Sequence, residues 1–135
     1  MHRQMLKSKL HRLTVTDCDP DYVGSITLDP ELMRTGDLLP NEQVHVWDIE
    51  NGARFVTYAI EGEPGTREAK VNGAAALLVE RGDKVIVASF GAYDDQEVLD
   101  HSPRVVHLDE QNRIARIDSH PELLLDSPLA SGAGL

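Results

Sequence analysis

The sequence predicts a compact, mainly β barrel with short helices. Three observations carry that reading. Six or more short stretches alternate as strands do, turn signals fall between them at close spacing, and each helix start is followed by only a turn or two of helical sequence. At 135 residues there is length for one domain with a real core, and not for two.

The elements follow in order. Lys9-Leu10-His11-Arg12-Leu13-Thr14-Val15-Thr16 reads as a first strand, β-branched toward its end. Strand geometry would set Lys9, His11, Leu13 and Val15 on one face. A turn cluster, Asp17-Cys18-Asp19-Pro20-Asp21, leads to a corner at Gly24-Ser25 and the short alternating run Ile26-Thr27-Leu28. Asp29-Pro30-Glu31 is a strong helix start, with Asp as N-cap, Pro at the first helical position and an acid in the first turn. Gly36 suits the C′ position and predicts a stop after about two turns.

Residues 44–49 and 53–60 read as a hairpin joined by Asn51-Gly52, the preferred type I′ pair. On the return strand, period two puts Arg54, Val56 and Tyr58 on one face and Phe55, Thr57 and Ala59 on the other. Residues 68–71 form a weak strand leading into Asn72-Gly73-Ala74-Ala75-Ala76-Leu77-Leu78, a tight turn entering a short helix. Residues 84–90 are apolar enough for a central strand, 94–99 read as one helical turn, and 104–108 with 113–117 read as a second hairpin. The domain is therefore expected over 1–117. A mobile tail rich in Ser, Pro, Gly and Ala is expected over 118–135.

Composition removes several classes of function. Thirteen basic against 23 acidic residues give a net charge of −10, and aromatics are 4%, both against nucleic-acid binding. The single cysteine, Cys18, rules out an internal disulfide and fits a reducing cytosol. With no local base, its expected role is a small, half-buried side chain. No run approaches membrane-spanning length, and residues 1–7 are too short and polar for a signal peptide. The six histidines lack metal-ligand spacing, and neither a Walker loop nor a dinucleotide fingerprint occurs.

Three places carry candidate chemistry, each with a plain reading beside it. Gly24-Ser25 is an ordinary bend, or a site where the Ser25 hydroxyl attacks the open Gly24 carbonyl and turns an amide into an ester. Arg54 and Tyr58 are rim residues, or an anion clamp beside a proton donor. The small residues after Asn72 let two elements pack closely, or let a ligand reach free backbone N–H groups.

Taken together, three stretches resemble the pyruvoyl-dependent aspartate 1-decarboxylase family in order and spacing. They are Lys9-Leu10-His11-Arg12 with Tyr22-Val23-Gly24-Ser25, then Asn51-Gly52-Ala53-Arg54-Phe55-Val56-Thr57-Tyr58-Ala59-Ile60, then Val71-Asn72-Gly73-Ala74-Ala75-Ala76. The resemblance reaches to about Ile117. It implies a double-psi β-barrel, a homotetramer with sites between neighbouring subunits, and decarboxylation of L-aspartate to β-alanine for pantothenate in the cytoplasm. It further implies self-cleavage at Gly24-Ser25 into chains 1–24 and 25–135, with Ser25 becoming a pyruvoyl group that condenses with the substrate amine.

By the same resemblance Thr57 supports the acyl shift, Lys9 and Arg54 hold the substrate carboxylates, and Tyr58 is the proton donor. Thr57 and the backbone of Gly73, Ala74 and Ala75 line the substrate site, and His11, Trp47 and Asn72 stand nearby. Some relatives need an accessory protein for cleavage, and sequence leaves that open here. The rival reading is a non-enzymatic double-psi barrel that binds or assembles, since fold alone confers no chemistry. A Ser-His-Asp hydrolase ranks last: Ser25 and His11 have no third member.

Overall fold

A computed structural model describes residues 1–119, so the tail expected over 118–135 lies, after its first two residues, outside the described residues. Nine strands are described: β1 (His2–Thr14), β2 (Asp17–Asp19), β3 (Ser25–Leu28), β4 (Gln43–Asp48), β5 (Arg54–Glu61), β6 (Ala69–Asn72), β7 (Lys84–Asp94), β8 (Arg104–Leu108) and β9 (Ile114–Asp118). Two short helices, α1 (Pro30–Thr35) and α2 (Asp95–Leu99), and a 3₁₀ helix, Gly73–Leu77, accompany them. None of these helices is long and apolar enough to cross a membrane.

The strands form one mixed sheet in the order β2-β6-β3-β5-β4-β7-β1-β8-β9. β1 runs parallel to β8, β2 to β6 and β3 to β5, and the remaining neighbours are antiparallel. The fold is mainly β, a double-psi β-barrel. Its sheet curls around one apolar cluster that takes Leu10 and Leu13 from β1, Ile26 and Leu28 from β3, Val44 and Val46 from β4, and Val85 and Val87 from β7. Burying each such side chain stabilises the fold by about 1.5–3 kcal/mol.

β1 departs from simple alternation in a way that matters for the site. Leu10 and Leu13 both enter the core, three positions apart, because the register slips between His11 and Leu13 and Arg12 takes φ 65°. This bulge corrects the expected face: Lys9 and His11 do not share a side with Leu13 and Val15. β1 also begins at His2, ahead of the expected start, because β7 continues alongside it and pairs Asp94 with His2. Cross-strand pairing organises a polar segment that periodicity does not flag.

Three local expectations change. Asp17–Asp19 is not only a turn cluster: it is β2, paired with β6, and half-buried Cys18 sits in it with Sγ 3.7 Å from the Val79 carbonyl. Asp29 caps α1 as expected, accepting from the Glu31 N–H at 2.9 Å. Gly36 ends that helix with φ −83°, however, and Asp37 takes the left-handed turn at φ 56°. Gly36 also packs closely on the core, since a Cβ there would stand 2.9 Å from Leu10 Cδ2. The 48–53 connection is not a type I′ turn, because only Gly52 has positive φ. Asp48 Oδ1 accepts from the N–H groups of Glu50 and Asn51, and the Gly52 N–H closes on the Asp48 carbonyl. The expected turn at 94–99 is α2, with a capping box between Asp94 and Glu97.

Candidate active site

Ser25 opens β3 and is 1% exposed, whereas Val23, two residues earlier, is 72% exposed. The Gly24-Ser25 peptide therefore runs from an open loop into a buried strand. Among the described residues, its chain neighbours aside, none comes within 4 Å of where a Gly24 Cβ would stand. Opposite Ser25 on antiparallel β6 is Asn72, whose Nδ2 donates to Ser25 Oγ at 2.9 Å. The Ser25 hydroxyl in turn donates to the Val23 carbonyl at 3.3 Å. The second Asn72 N–H goes to Thr27 Oγ1, also at 2.9 Å. Asn72 Oδ1 is buried with no partner among the described residues.

The small-residue stretch continues from Asn72. Gly73 has φ 75° and packs its backbone on Gly24, which decides the packing half of its two readings. Beyond it Ala74 is exposed, Ala75 half-buried and Ala76 buried, so the first turn of the 3₁₀ helix offers its outer side to solvent.

β5 runs parallel to β3 with Ile26 opposite Ala59, so Thr57 and Tyr58 lie just before that pair, alongside Gly24 and Ser25. Period two holds here. Arg54 and Val56 are exposed, Tyr58 is half-buried on the same side, Phe55 packs on the core and Ala59 is inside it. Arg54 is ~13 Å along the strand from Tyr58. Its guanidinium lies over the ring of Trp47, its cross-strand partner, 4.5 Å from the centroid. The charge is thereby fixed in place while remaining open to solvent.

Lys9 and His11 stand on β1. On β1, Lys9 is opposite Ala88 of β7 and Val105 of β8. His11 faces His107, ring edge to ring face at 5.4 Å, and His107 Nε2 is 3.0 Å from Asp118 Oδ2. Arg116 grips the same carboxylate oxygen at 2.7 Å. Burial, then the charges of Lys9, His107 and Arg12, lower the His11 pKa to about 4, so the ring is neutral at pH 7. Three strands, β5, β4 and β7, separate β1 from β3. Within one chain the fold gathers Gly24, Ser25, Asn72 and Gly73, with Thr57 and Tyr58 alongside. Trp47 and Arg54 form a second group, and Lys9 and His11 stand on β1.

The sequence profile of the aspartate decarboxylase family matches residues 1–115. The chain belongs to the aspartate decarboxylase family. The aspartate 1-decarboxylase of Mycolicibacterium smegmatis is 53% identical over 121 residues, which is 90% of this chain and 89% of that protein. The aspartate 1-decarboxylases of Heliobacterium modesticaldum and Laribacter hongkongensis are 54% and 48% identical, over 84% and 87% of this chain and 86% and 92% of their own lengths. The aspartate decarboxylase match takes in the Gly24-Ser25 corner, the β4–β5 hairpin and the Gly73 stretch together.

Sequence reading does not single out Thr27 or His107. For Thr27 a signal was available: two residues after Ser25 on one short strand, it puts a second hydroxyl on the same face. For His107 none was, because its partners Asp118 and His11 come from two other strands.

Proposed function

We propose that this chain is an aspartate 1-decarboxylase that converts L-aspartate to β-alanine and CO₂ with a pyruvoyl group made from its own Ser25. One observation carries the reading. A buried serine, its hydroxyl already held by Asn72, follows a glycine whose own flank is open. The fit to the group is local: the Gly73 backbone occupies a cradle against Gly24 that a Cβ would fill.

In maturation, Ser25 Oγ bonds to the Gly24 carbonyl carbon, the C–N bond breaks, and the hydroxyl proton passes to the freed amine. Elimination then takes the Ser25 α-proton and releases Gly24 as a carboxylate. Addition of water and loss of ammonia leave a ketone at position 25. The Thr57 hydroxyl, alongside Gly24, supports the oxyanion of the first step. Chains 1–24 and 25–135 stay associated, because β1 is paired along its length with β7 and over Ser8–His11 with β8.

The ketone supplies an electron sink for the pair left behind when CO₂ departs. Lys9 and Arg54 bind the two substrate carboxylates, Arg54 by a planar bidentate pair that Trp47 pre-orients. The departing α-carboxylate loses its charge, so a strong ion pair there would stabilise the ground state. Arg54 therefore holds the side-chain carboxylate. Tyr58 returns a proton to the α-carbon. The backbone of Gly73, Ala74 and Ala75 lines the substrate, with His11 and Asn72 close by. The resemblance to the family carries the homotetramer, with sites between neighbouring subunits. The product's place is pantothenate synthesis in the cytoplasm.

Intact mass of purified protein tests this. The expected result is two fragments, the larger lighter by one ammonia than simple hydrolysis gives, with L-aspartate trapped on residue 25 by borohydride. Ser25→Ala should remain one chain. A single full-length species from purified wild type that cleaves only when a maturation protein is added would assign the cleavage to assistance. Full-length protein under every condition would favour the non-enzymatic barrel.

A further inference from the structure

We propose that Thr27 is a positioning residue for maturation: its hydroxyl takes one N–H of the Asn72 carboxamide and so aims the other at Ser25 Oγ. The inference rests on self-cleavage at Gly24-Ser25 and adds a residue to its machinery.

Ser25 and Thr27 stand two apart on β3 and point to the same side, 1% and 9% exposed. Asn72 reaches both hydroxyls from β6, at 2.9 Å each. A primary amide has two N–H groups and a broad terminal torsion, so one hydrogen bond leaves its plane free to turn. Two acceptors on one rigid strand fix it. The two hydroxyls are also its only polar anchors among the described residues, since Asn72 Oδ1 has no partner there.

Thr27 is itself held. A Cβ on Gly62 would stand 2.9 Å from the Thr27 methyl, so methyl and glycine are in close contact and Oγ1 is turned toward Asn72. Because Asn72 donates to Ser25 Oγ, the serine's own hydrogen points away, to the Val23 carbonyl on the side of the bond that breaks. Removing the Thr27 hydroxyl leaves a buried N–H unsatisfied, and the amide turns to repair that at the expense of its aim at Ser25.

The test compares Thr27→Val, which keeps the shape, with Thr27→Ser, which keeps the hydroxyl. Conversion of full-length chain to two fragments should slow at least tenfold in Thr27→Val. It should stay within about threefold of wild type in Thr27→Ser, with melting temperatures measured alongside. Equal cleavage rates for wild type and Thr27→Val overturn the proposal. So does equal slowing in both variants, which would mark a packing effect. A second readout needs no cleavage. In the Ser25→Ala background the Asn72 side-chain ¹⁵N–H₂ resonances should shift and exchange faster when Thr27→Val is added. Unchanged resonances refute the anchor. A wild-type chain that never cleaves refutes the maturation role, and the Asn72 resonances then still decide whether Thr27 holds the amide.

Discussion

The backbones of Gly73 and Gly24 are in direct contact: a Cβ on Gly73 would come within 2.6 Å of Gly24 Cα and 2.9 Å of Gly24 N. Gly73 also has φ 75°, so a side chain there is refused twice, by strain and by space. A Cβ on Gly24 would meet no described residue beyond its chain neighbours. Gly73→Ala is therefore expected to cost about 2 kcal/mol or more, several degrees of melting temperature, and to displace the 20–24 loop. Gly24→Ala should leave the melting temperature within about a degree of wild type. Thermal melts of both variants in the uncleavable Ser25→Ala background check this, and equal losses would refute it.

Tyr58 lies beside Ser25 but takes no part in holding Asn72 or Thr27. Tyr58→Phe should therefore mature normally while kcat for L-aspartate falls by roughly 10²–10⁴-fold with KM little changed, the size expected for a lost proton donor. Steady-state kinetics on protein shown by mass to be fully cleaved separates the two effects.

Arg54 is held by the face of Trp47. Trp47→Ala should raise KM for L-aspartate severalfold and leave kcat nearly unchanged, as loss of an exposed cation–π contact of about 0.5–1 kcal/mol implies. Arg54→Ala should lose activity on L-aspartate far more than on an amino acid without the side-chain carboxylate, such as L-alanine. Equal loss on both substrates would place Arg54 on the α-carboxylate instead.

Two groups give stability opposite pH slopes. His11 has its pKa lowered from 6.5 to about 4, so the unfolded chain binds more protons in that window and stability falls as pH drops through it. Screening at a half-buried ring leaves on the order of 1–2 kcal/mol. Burial, then the neighbouring Asp83 carboxylate, raise Asp48 to about 6, so the folded chain binds more protons and stability falls as pH rises from about 4 to 6. Denaturant titrations between pH 4 and 7.5 should show His11→Gln resisting acid better than wild type. Asp48→Asn should lose the decline between pH 4 and 6, its amide donating toward Asp83. Parallel pH curves for all three proteins would refute both assignments.

Much of the barrel is legible in the residues alone because its signals are local. The Asp29-Pro30 start of α1, the helical turn at 94–99, the period-two faces of β5 and the β8–β9 hairpin depend on neighbours a few positions away. The Arg12 bulge in β1, the first residues of that strand and the β2–β6 pairing depend on distant partners, and no local rule reports them. The candidate site divides the same way. Gly24-Ser25, Arg54, Tyr58 and the Gly73 stretch stand out as residue types in order, whereas Thr27 and His107 become visible only through what they touch.

By itself the sequence determined the chemistry available: a serine after a bare glycine, a guanidinium and a phenol on one strand face, and the residue pattern of the aspartate decarboxylase family. Tertiary structure alone decided which of these meet. Hydrogen bonds between β3 and β6 bring Asn72 onto Ser25 across 47 residues of chain. Three strands stand between β3 and the β1 strand that carries Lys9 and His11. The reason is physical: side-chain chemistry belongs to single residues, while proximity is set by strand pairing and a shared core, which sum over the whole chain.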